Sequence, residues 1–330
     1  MDFQKIVHNR LTSWLGFIVF MAAMAAGFFS FFNFTHTGVN ADSLRNGAPG
    51  SSASSQEFEY KIISPKLPDE LYFCGERVPL EDIEVRESLD RELIVNTYWH
   101  SATLLFIKRS NRWFPVMEKI LRDNDIPEDF KYAAVIESAL SNVVSPAGAV
   151  GYWQILESVG RQYGLEVNKN VDERYSVEKS TEAACRYLRN SYNNFGNWTL
   201  TAASYNMGVT GVSRQLNKQR TNNYYDLFLN DETSRYVFRI LAAKLIIENP
   251  ERYGFYVEPE DMYPEEDFST VTVNKNITDL AEFAVKNGIT YKSLRHANPW
   301  LRDSFLRVAP GKSYTLKMSR EEKTYAMYQP

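Results

Sequence analysis

Helical periodicity between about residues 85 and 250 is the feature that most constrains the fold of this chain. Apolar side chains recur every three or four positions, as at Leu89, Leu93 and Tyr98. The last periodic segment stops at Pro250, as helices do. Amphipathic helices are predicted at residues 114–121, 126–140, 181–194, 199–206 and 233–248. Because each apolar stripe must be buried against another element, this region is expected to form one all-α domain.

The pattern changes after the helical region. An acidic, proline-containing stretch at residues 259–267 separates it from the rest of the chain. The pattern of the remainder predicts a strand at residues 270–273, two short helices at 277–287 and 291–297, and a closing strand at 313–317. We therefore predict a mainly α chain that ends in a small βααβ module at residues 268–318.

The first sixty residues have a different character. Residues 11–34 carry no charge and are long enough to span a bilayer as a helix, and Lys5 and Arg10 precede them. The positive-inside bias predicts a cytoplasmic N-terminus and an outward-facing remainder. The predicted parts are a cytoplasmic N-terminus (residues 1–10), a transmembrane signal anchor (11–34) and a flexible Gly- and Ser-rich linker (35–60). A folded region with an extended lead follows at residues 61–255.

A cleaved signal peptide is the alternative to the anchor. The small residues around Ala23 and Ala25 resemble a cleavage site. Cleavage there would leave the phenylalanines of residues 28–32 at an exposed terminus, which favours an uncleaved anchor.

Charge and metal-ligand residues exclude several classes of function. The net charge is −4 with both signs interspersed, so no basic surface for nucleic acid is expected. The four histidines are scattered singly, and Cys74 and Cys185 lack metal-ligand spacing. We therefore predict no metal site, no cofactor and no Ser-His-Asp triad. A disulfide between the two cysteines stays open, because it depends on an oxidising compartment.

Glu137 projects from an apolar stripe of a predicted helix. Its neighbours at i−4, i−3 and i+3 are Ala133, Ala134 and Leu140. Partial burial would disfavour the carboxylate and raise the pKa of Glu137, as a general acid at neutral pH requires. From the helix alone, a carboxylate paired with a buried arginine, or one that reaches solvent at the helix edge, remains the alternative.

Two glycine-containing motifs follow Glu137-Ser138. Residues 145–154 read S-x-x-G-A-x-G-x-x-Q, and residues 203–208 read A-x-Y-N-x-G. Their order and spacing resemble the catalytic motifs of lytic transglycosylases with a goose-lysozyme-like (SLT) catalytic domain, over about residues 126–243. Three further segments resemble the membrane-bound murein subgroup of that family, at residues 171–174, 181–184 and 232–237.

The resemblance implies a lysozyme-like fold and an enzyme that cleaves peptidoglycan glycan strands outside the bacterial inner membrane. Glu137 is expected to protonate the glycosidic oxygen between N-acetylmuramic acid and N-acetylglucosamine. It then takes a proton from the muramic C6 hydroxyl, which closes a 1,6-anhydro ring. Ser145 and Tyr205 match family positions that polarise or orient this chemistry.

Five further residues are expected to bind the sugar. Gln154 and Asn206 match sugar-binding positions, and the Gln154 amide can both donate to and accept from an N-acetyl group. Gly151 would let the backbone approach a sugar closely. Tyr152 and Trp153 are expected to line the same groove, with aromatic core packing as the alternative.

Most glycosidases use two carboxylates, but the motifs here contain only one. Glu157 lies nearby in sequence, and Asp172 and Glu173 adjoin Arg174, where ion pairing is the expected role. A single acid suits an intramolecular hydroxyl as acceptor, because that group is already positioned. A goose-type lysozyme that hydrolyses the bond is one alternative, and a non-catalytic peptidoglycan-binding scaffold is the other.

The C-terminal βααβ order resembles a LysM domain, with Asn298-Pro299 after its second helix. The resemblance implies binding of glycans that contain N-acetylglucosamine. Residues 274–280 depart from the Gly-Asp-Thr-Leu type of turn usual there. A module that only packs against the catalytic domain is therefore the alternative.

Overall fold

The computed structural model describes residues 62–319, which belong to one compact unit. The predicted cytoplasmic N-terminus, anchor and linker lie outside the described residues. Between residues 62 and 319, no helix has both the length and the apolar character needed to cross a membrane.

The first part of the described chain, residues 62–255, is a helical body. A short antiparallel hairpin of β1 (Tyr72–Phe73) and β2 (Glu76–Arg77) precedes the helices. The helices are α1 (Ile83–Tyr98), α2 (His100–Asp123), α3 (Lys131–Ser138), α4 (Glu157–Gln162), α5 (Val177–Phe195), α6 (Trp198–Met207), α7 (Val209–Gln219) and α8 (Asp231–Glu248).

Local sequence signals set several helix ends. Asp82 accepts hydrogen bonds from two first-turn N–H groups of α1, and Asn197 does the same for Leu200 at the start of α6. Helix α5 ends at Gly196, whose φ of 62° suits a residue without a side chain. Helix α8 is the centre of the body, because it packs against α1, α3 and α6 and buries most of its residues.

The second part is the βααβ module, residues 268–319. It consists of β3 (Phe268–Val273), α9 (Leu280–Lys286), α10 (Tyr291–Ala297) and β4 (Tyr314–Ser319). The strands pair antiparallel, with Phe268 opposite Ser319 and Val273 opposite Tyr314. The predicted mainly α class with a terminal βααβ module is thus confirmed.

Several elements differ from the sequence prediction. Helix α2 begins at His100 and continues through Pro115, whereas the periodicity predicted a helix only from residue 114. Helices α4 and α7 were not predicted. Helix α9 begins at Leu280 rather than 277, because Asp279 caps it and Ile277 pairs with the backbone of Leu306.

The cysteine question has a direct answer in the structure. Cys74 and Cys185 are both free thiols. Cys185 is buried on α5 and Cys74 is partly buried in the β1–β2 turn. Burial raises the pKa of both thiols, so neither is activated as a nucleophile.

The module is joined to the helical body through the loop between α4 and α5. Asn170 donates from Nδ2 to the carbonyl of Phe305 at 2.8 Å and accepts at Oδ1 from the N–H of Arg307 at 3.0 Å. Val171 forms a β-bridge with Leu301 and belongs to the hydrophobic core of the module. Lys312 and Tyr314 both bond to Glu166.

Candidate active site

Glu137 lies in the last turn of α3 and faces α8. The hydroxyl of Tyr236 donates to Glu137 Oε1 at 2.7 Å. Burial is the main reason that the pKa of Glu137 is raised to about 7. The hydrogen bond from Tyr236 and the positive charge of Arg239 lower this pKa, whereas the negative charge of Glu232 raises it. The side chain keeps some solvent exposure. Glu137 is therefore a reachable carboxyl group that can both give and take a proton near neutral pH.

The backbone turns sharply after α3. Ala139 and Leu140 have φ of 49° and 56°, so two successive non-glycine residues are left-handed. Arg109 of α2 holds this turn by donating to the Ala139 carbonyl at 3.0 Å and to Ser141 Oγ at 2.9 Å. The turn directs the chain from Glu137 into the glycine-containing loop.

Ser138 ties the end of α3 to the same loop. Its hydroxyl donates to the Tyr152 carbonyl at 2.8 Å and lies 3.1 Å from the Ala134 carbonyl. Ser138 is buried. The side chain is therefore a structural tether.

Ser145 stands in the loop that follows, where Val150 pairs with Val144 and Ile155. Its hydroxyl oxygen accepts from the N–H of Ala149 at 3.0 Å, which closes the turn. Within residues 62–319, Ser145 makes no hydrogen bond with Glu137. In this structure Ser145 closes the turn and does not contact the carboxyl group of Glu137 through a hydrogen bond.

Gly151 corrects an expectation. It is buried with φ of 82°, and a Cβ there would lie 2.1 Å from the Arg174 carbonyl oxygen. The close approach that requires glycine at this position is therefore to the backbone of Arg174. The Arg174 side chain pairs with Asp172 at 2.7 Å with both groups buried, and Glu157 pairs with Arg161 at 2.7 Å, so these acidic side chains are engaged in ion pairs.

Trp153 and Tyr152 are both buried, and Tyr152 lines a different cavity from that of Gln154 and Asn206. Trp153 is fully buried, and its indole N–H donates to Thr181 Oγ1 at 2.8 Å. Tyr152 is 5% exposed and packs edge-on against Trp113. Neither ring joins Gln154 and Asn206 in their cavity. Aromatic core packing, the alternative, describes Trp153.

Gln154, Tyr205 and Asn206 do come together, around a cavity of about 280 Å³. The hydroxyl of Tyr205 donates to the Trp153 carbonyl at 2.8 Å. Burial, with a further contribution from the charge of Glu137, raises the pKa of Tyr205, so its hydroxyl stays neutral. Glu137 does not line this cavity, but Tyr205 connects the two, because it lines the cavity and lies within electrostatic range of the carboxylate.

The amide groups of Gln154 and Asn206 are partly engaged by protein atoms. Gln154, with φ of 47°, donates from Nε2 to the carbonyls of Val143 and Gly151, which leaves Oε1 as its available acceptor. Asn206 donates to Glu232 at 3.1 Å and accepts from the Thr233 hydroxyl at 2.8 Å. Asn206 thus links α6 to the start of α8.

Three residues of α8 belong to the site without a role predicted from the sequence: Glu232, Tyr236 and Arg239. Tyr236 is buried in a helix whose other core positions are almost all apolar. A tyrosine in such a stripe needs a partner for its hydroxyl, and that signal was present in the sequence. Its partner, Glu137, lies 99 positions away and is visible only in the fold.

Among residues 62–319, no group of three His, Cys, Asp or Glu side chains could hold a metal ion. Glu137 is the carboxyl group of the site whose pKa lies near neutrality, so the chemistry available is proton transfer by this group beside neutral hydroxyl and amide groups.

Two domain families and one group of relatives match this chain. Residues 115–228 match the transglycosylase SLT domain, and residues 269–322 match the soluble lytic transglycosylase C-terminal LysM-like domain. The membrane-bound lytic murein transglycosylase D of Escherichia coli strain K12 is 30% identical over 256 residues, which cover 74% of this chain and 54% of that protein. The chain thus spans about half the length of this relative.

Two solved structures are also similar. The 70 kDa soluble lytic transglycosylase of Escherichia coli is 20% identical, with a TM-score of 0.36, over 46% of this chain and 26% of that chain. The lytic transglycosylase Slt of Pseudomonas aeruginosa, in an inactive form, is 19% identical with a TM-score of 0.34 and the same coverage.

Proposed function

Because its SLT and LysM-like domains make this chain a member of the lytic transglycosylase family, we propose that it cleaves the β-1,4 bond between N-acetylmuramic acid and N-acetylglucosamine in peptidoglycan. The product is a 1,6-anhydro-N-acetylmuramic acid end. The observation that supports this most is Glu137, a single carboxyl group whose pKa is about 7.

In the proposed reaction, Glu137 acts first as an acid. The protonated carboxyl donates its proton to the glycosidic oxygen as the bond from that oxygen to muramic C1 breaks. The resulting carboxylate then takes the proton of the C6 hydroxyl, whose oxygen forms the new bond to C1. The carboxyl proton is restored and no water is consumed. A pKa near neutrality suits both steps, because neither protonation state is strongly disfavoured.

Neighbouring groups support this role for Glu137. Tyr236 donates to one carboxylate oxygen and fixes its direction. Tyr205 and the free Oε1 of Gln154 line the adjoining cavity and are proposed to orient the sugar. Asn206 is proposed to act there by holding α6 to α8. Ser145 is proposed to act by keeping the loop closed.

The proposed location is the outer face of the bacterial inner membrane. The uncharged run at residues 11–34 supports an anchor, and the linker at residues 35–60 would let the folded part reach the wall. The relative from Escherichia coli is named as membrane-bound. The proposed domain limits are residues 61–255 for catalysis and 268–318 for the module.

Product analysis tests the proposal. Purified peptidoglycan is digested with the full chain, and the soluble products are examined by mass spectrometry. We expect muropeptides one water molecule lighter than hydrolysis products, and loss of at least about a hundredfold in rate for Glu137→Gln. Products with free reducing muramic acid would establish the lysozyme alternative. An inactive wild-type chain that still binds the wall would establish the scaffold alternative.

A further inference from the structure

A second cavity lies between the helical body and the βααβ module. It has a volume of about 380 Å³. Its walls come from α2, the segment after α3 that includes Leu140 and Tyr152, the start of α5, and the module residues around Arg295 and Trp300. None of Gln154, Tyr205 or Asn206 lines it, so it is distinct from the cavity that these three residues surround.

The charge of this interdomain cavity is positive. Four arginine and lysine side chains line it, but only two glutamates. Both glutamates already have cationic partners, because Glu178 pairs with Lys317, and Glu266 lies 3.3 Å from Arg112 and 3.1 Å from His296. The cavity therefore has two positive charges in excess.

The two arginines that account for this excess are Arg109 and Arg295. Within residues 62–319, neither forms an ion pair with a carboxylate. Arg295 donates from one Nη to the Tyr291 hydroxyl and to the Asp303 carbonyl, at 2.7 Å each. Its other nitrogens remain for a ligand, and an arginine fork matches a carboxylate with two parallel hydrogen bonds.

Aromatic rings complete the lining. Trp300 stacks on Tyr314 with ring centres 5.6 Å apart, and Tyr175 lies under the Arg302 guanidinium at 3.9 Å. Trp113 also lines the cavity. Apolar ring surface beside unpaired arginines suits a ligand with both an apolar C–H surface and an anionic group, which is the chemistry of an acidic sugar.

We propose that the interdomain cavity binds a saccharide that carries a carboxylate. N-acetylmuramic acid is the probe of choice, and that choice rests on the proposed function, since this sugar occurs in peptidoglycan. The site would hold a glycan strand or fragment from which the stem peptide has been removed, because only there is the muramic carboxylate free, while Glu137 acts elsewhere.

Calorimetric titration of the full chain tests the proposal with three probes. N-acetylmuramic acid has the ring and the carboxylate, N-acetylglucosamine has the ring alone, and D-lactate has the carboxylate alone. We expect binding of N-acetylmuramic acid at least about tenfold tighter than that of either other probe, because both halves of the site contribute. Equal affinity for all three probes would overturn the proposal.

Variants locate the site. Arg295→Gln is expected to weaken N-acetylmuramic acid binding at least about tenfold, as the loss of a charge-assisted hydrogen bond does. Arg295→Lys should retain part of the affinity because the charge remains. Lys292→Gln is the matched control, since it removes a positive charge from the same helix outside this cavity. Undiminished binding in Arg295→Gln would refute the assignment.

Two further measurements keep the result interpretable. If Arg295→Gln fails to fold, Lys317→Gln is the second variant: it removes a positive charge of β4 that lines the cavity and leaves its partner Glu178 unpaired, so binding of the carboxylate is expected to weaken. Peptidoglycan cleavage by the wild-type chain is measured separately. Cleavage without binding of N-acetylmuramic acid would refute this site and leave the proposed function standing. Binding without cleavage would support this site and refute the proposed function.

Discussion

At the scale of single residues, the site depends on how the protein environment treats one carboxyl group. Burial shifts the pKa of Glu137 towards neutrality, and the hydroxyl of Tyr236 opposes part of that shift. The two effects are separable, because the hydroxyl can be removed while the ring still fills its space. Tyr236 therefore tunes the pH at which Glu137 holds its proton.

Tyr236→Phe tests this tuning. The lost hydrogen bond stabilised the carboxylate form, so the pKa of Glu137 is expected to rise above about 7, by roughly 1–2 pH units. Activity that needs protonated Glu137 falls as pH rises through this pKa, so the alkaline limb of the kcat/KM profile should move to higher pH. Tyr253→Phe is the control, because the Tyr253 hydroxyl is buried without a partner in the described chain. An unshifted limb in Tyr236→Phe contradicts the tuning.

Gly151 gives a second residue-scale prediction. Gly151 and Gly148 both have a left-handed φ. The Cβ of Gly151→Ala would clash with the Arg174 carbonyl, whereas the Cβ of Gly148→Ala would have no atom within 4 Å. Both should lose about 1–2 kcal/mol of unfolding free energy from the backbone conformation. Gly151→Ala should lose a further ~1–3 kcal/mol from the clash. Chemical denaturation measures both, and equal losses would contradict the packing role.

Residue-scale prediction from sequence succeeded where the cause was local. The apolar neighbours of Glu137 along one helix face pointed to partial burial, and the carboxyl group is indeed largely buried. The role of Gly151 was not predictable, because the atom that it must accommodate belongs to Arg174, 23 positions further along the chain. Trp153 shows the same limit, since its partner Thr181 lies 28 positions away.

At the scale of secondary structure elements, α8 positions the groups around Glu137. It carries Tyr236, Arg239 and Glu232, and it is fixed to α1 by an ion pair. Glu92 of α1 is 1% exposed and accepts from Arg235 at 2.7 Å. A buried carboxylate with this partner holds the start of α8 in register beside α1.

Glu92→Ala is expected to destabilise the helical body. It removes the ion pair between α1 and α8 and leaves Arg235 without its buried partner. The unfolding free energy is expected to fall by about 2 kcal/mol. This is less than for a fully buried ion pair, because the Arg235 side chain is 30% exposed. Glu87→Ala, on an exposed position of the same helix, should change the unfolding free energy by less than about 0.5 kcal/mol. Similar thermal unfolding of the two variants would show that the pair does not fix α8.

Element prediction from sequence worked best for long, strongly periodic segments. Helix α8 was predicted nearly to its ends, because its apolar stripe runs up to a helix-stopping proline. Helix α2 was half missed, since Pro115 marks a helix break by local rules. Burial of Phe106, Ile107, Phe114 and Met117 along one face keeps this helix continuous, and that packing is tertiary.

At the scale of the whole molecule, the βααβ module shares a core with the helical body. Val171, from the body, is 1% exposed and packs among Leu280, Leu294 and Leu316 of the module. The sequence boundary at residue 268 gave no sign of this, because the contributing loop lies about a hundred residues earlier. A module joined in this way keeps the interdomain cavity at a fixed place relative to the body.

Asn170→Ala tests that attachment. It removes the side-chain hydrogen bonds to Phe305 and Arg307, worth about 1 kcal/mol each, while the backbone bond from Arg302 remains. Local opening of the interface should rise roughly tenfold or more. Hydrogen exchange at the Arg302 and Arg307 amides measures it, with acceleration expected there and not at α8.

Asn287→Ala is the control, since the Asn287 side chain bonds only to Phe283 within the module. Unchanged exchange in both variants would mean that Asn170 does not hold the module. Faster exchange in Asn170→Ala alone, with weaker binding of N-acetylmuramic acid, would link attachment to the interdomain cavity. That result is expected, because the walls of the cavity come from both parts and separate when the interface opens.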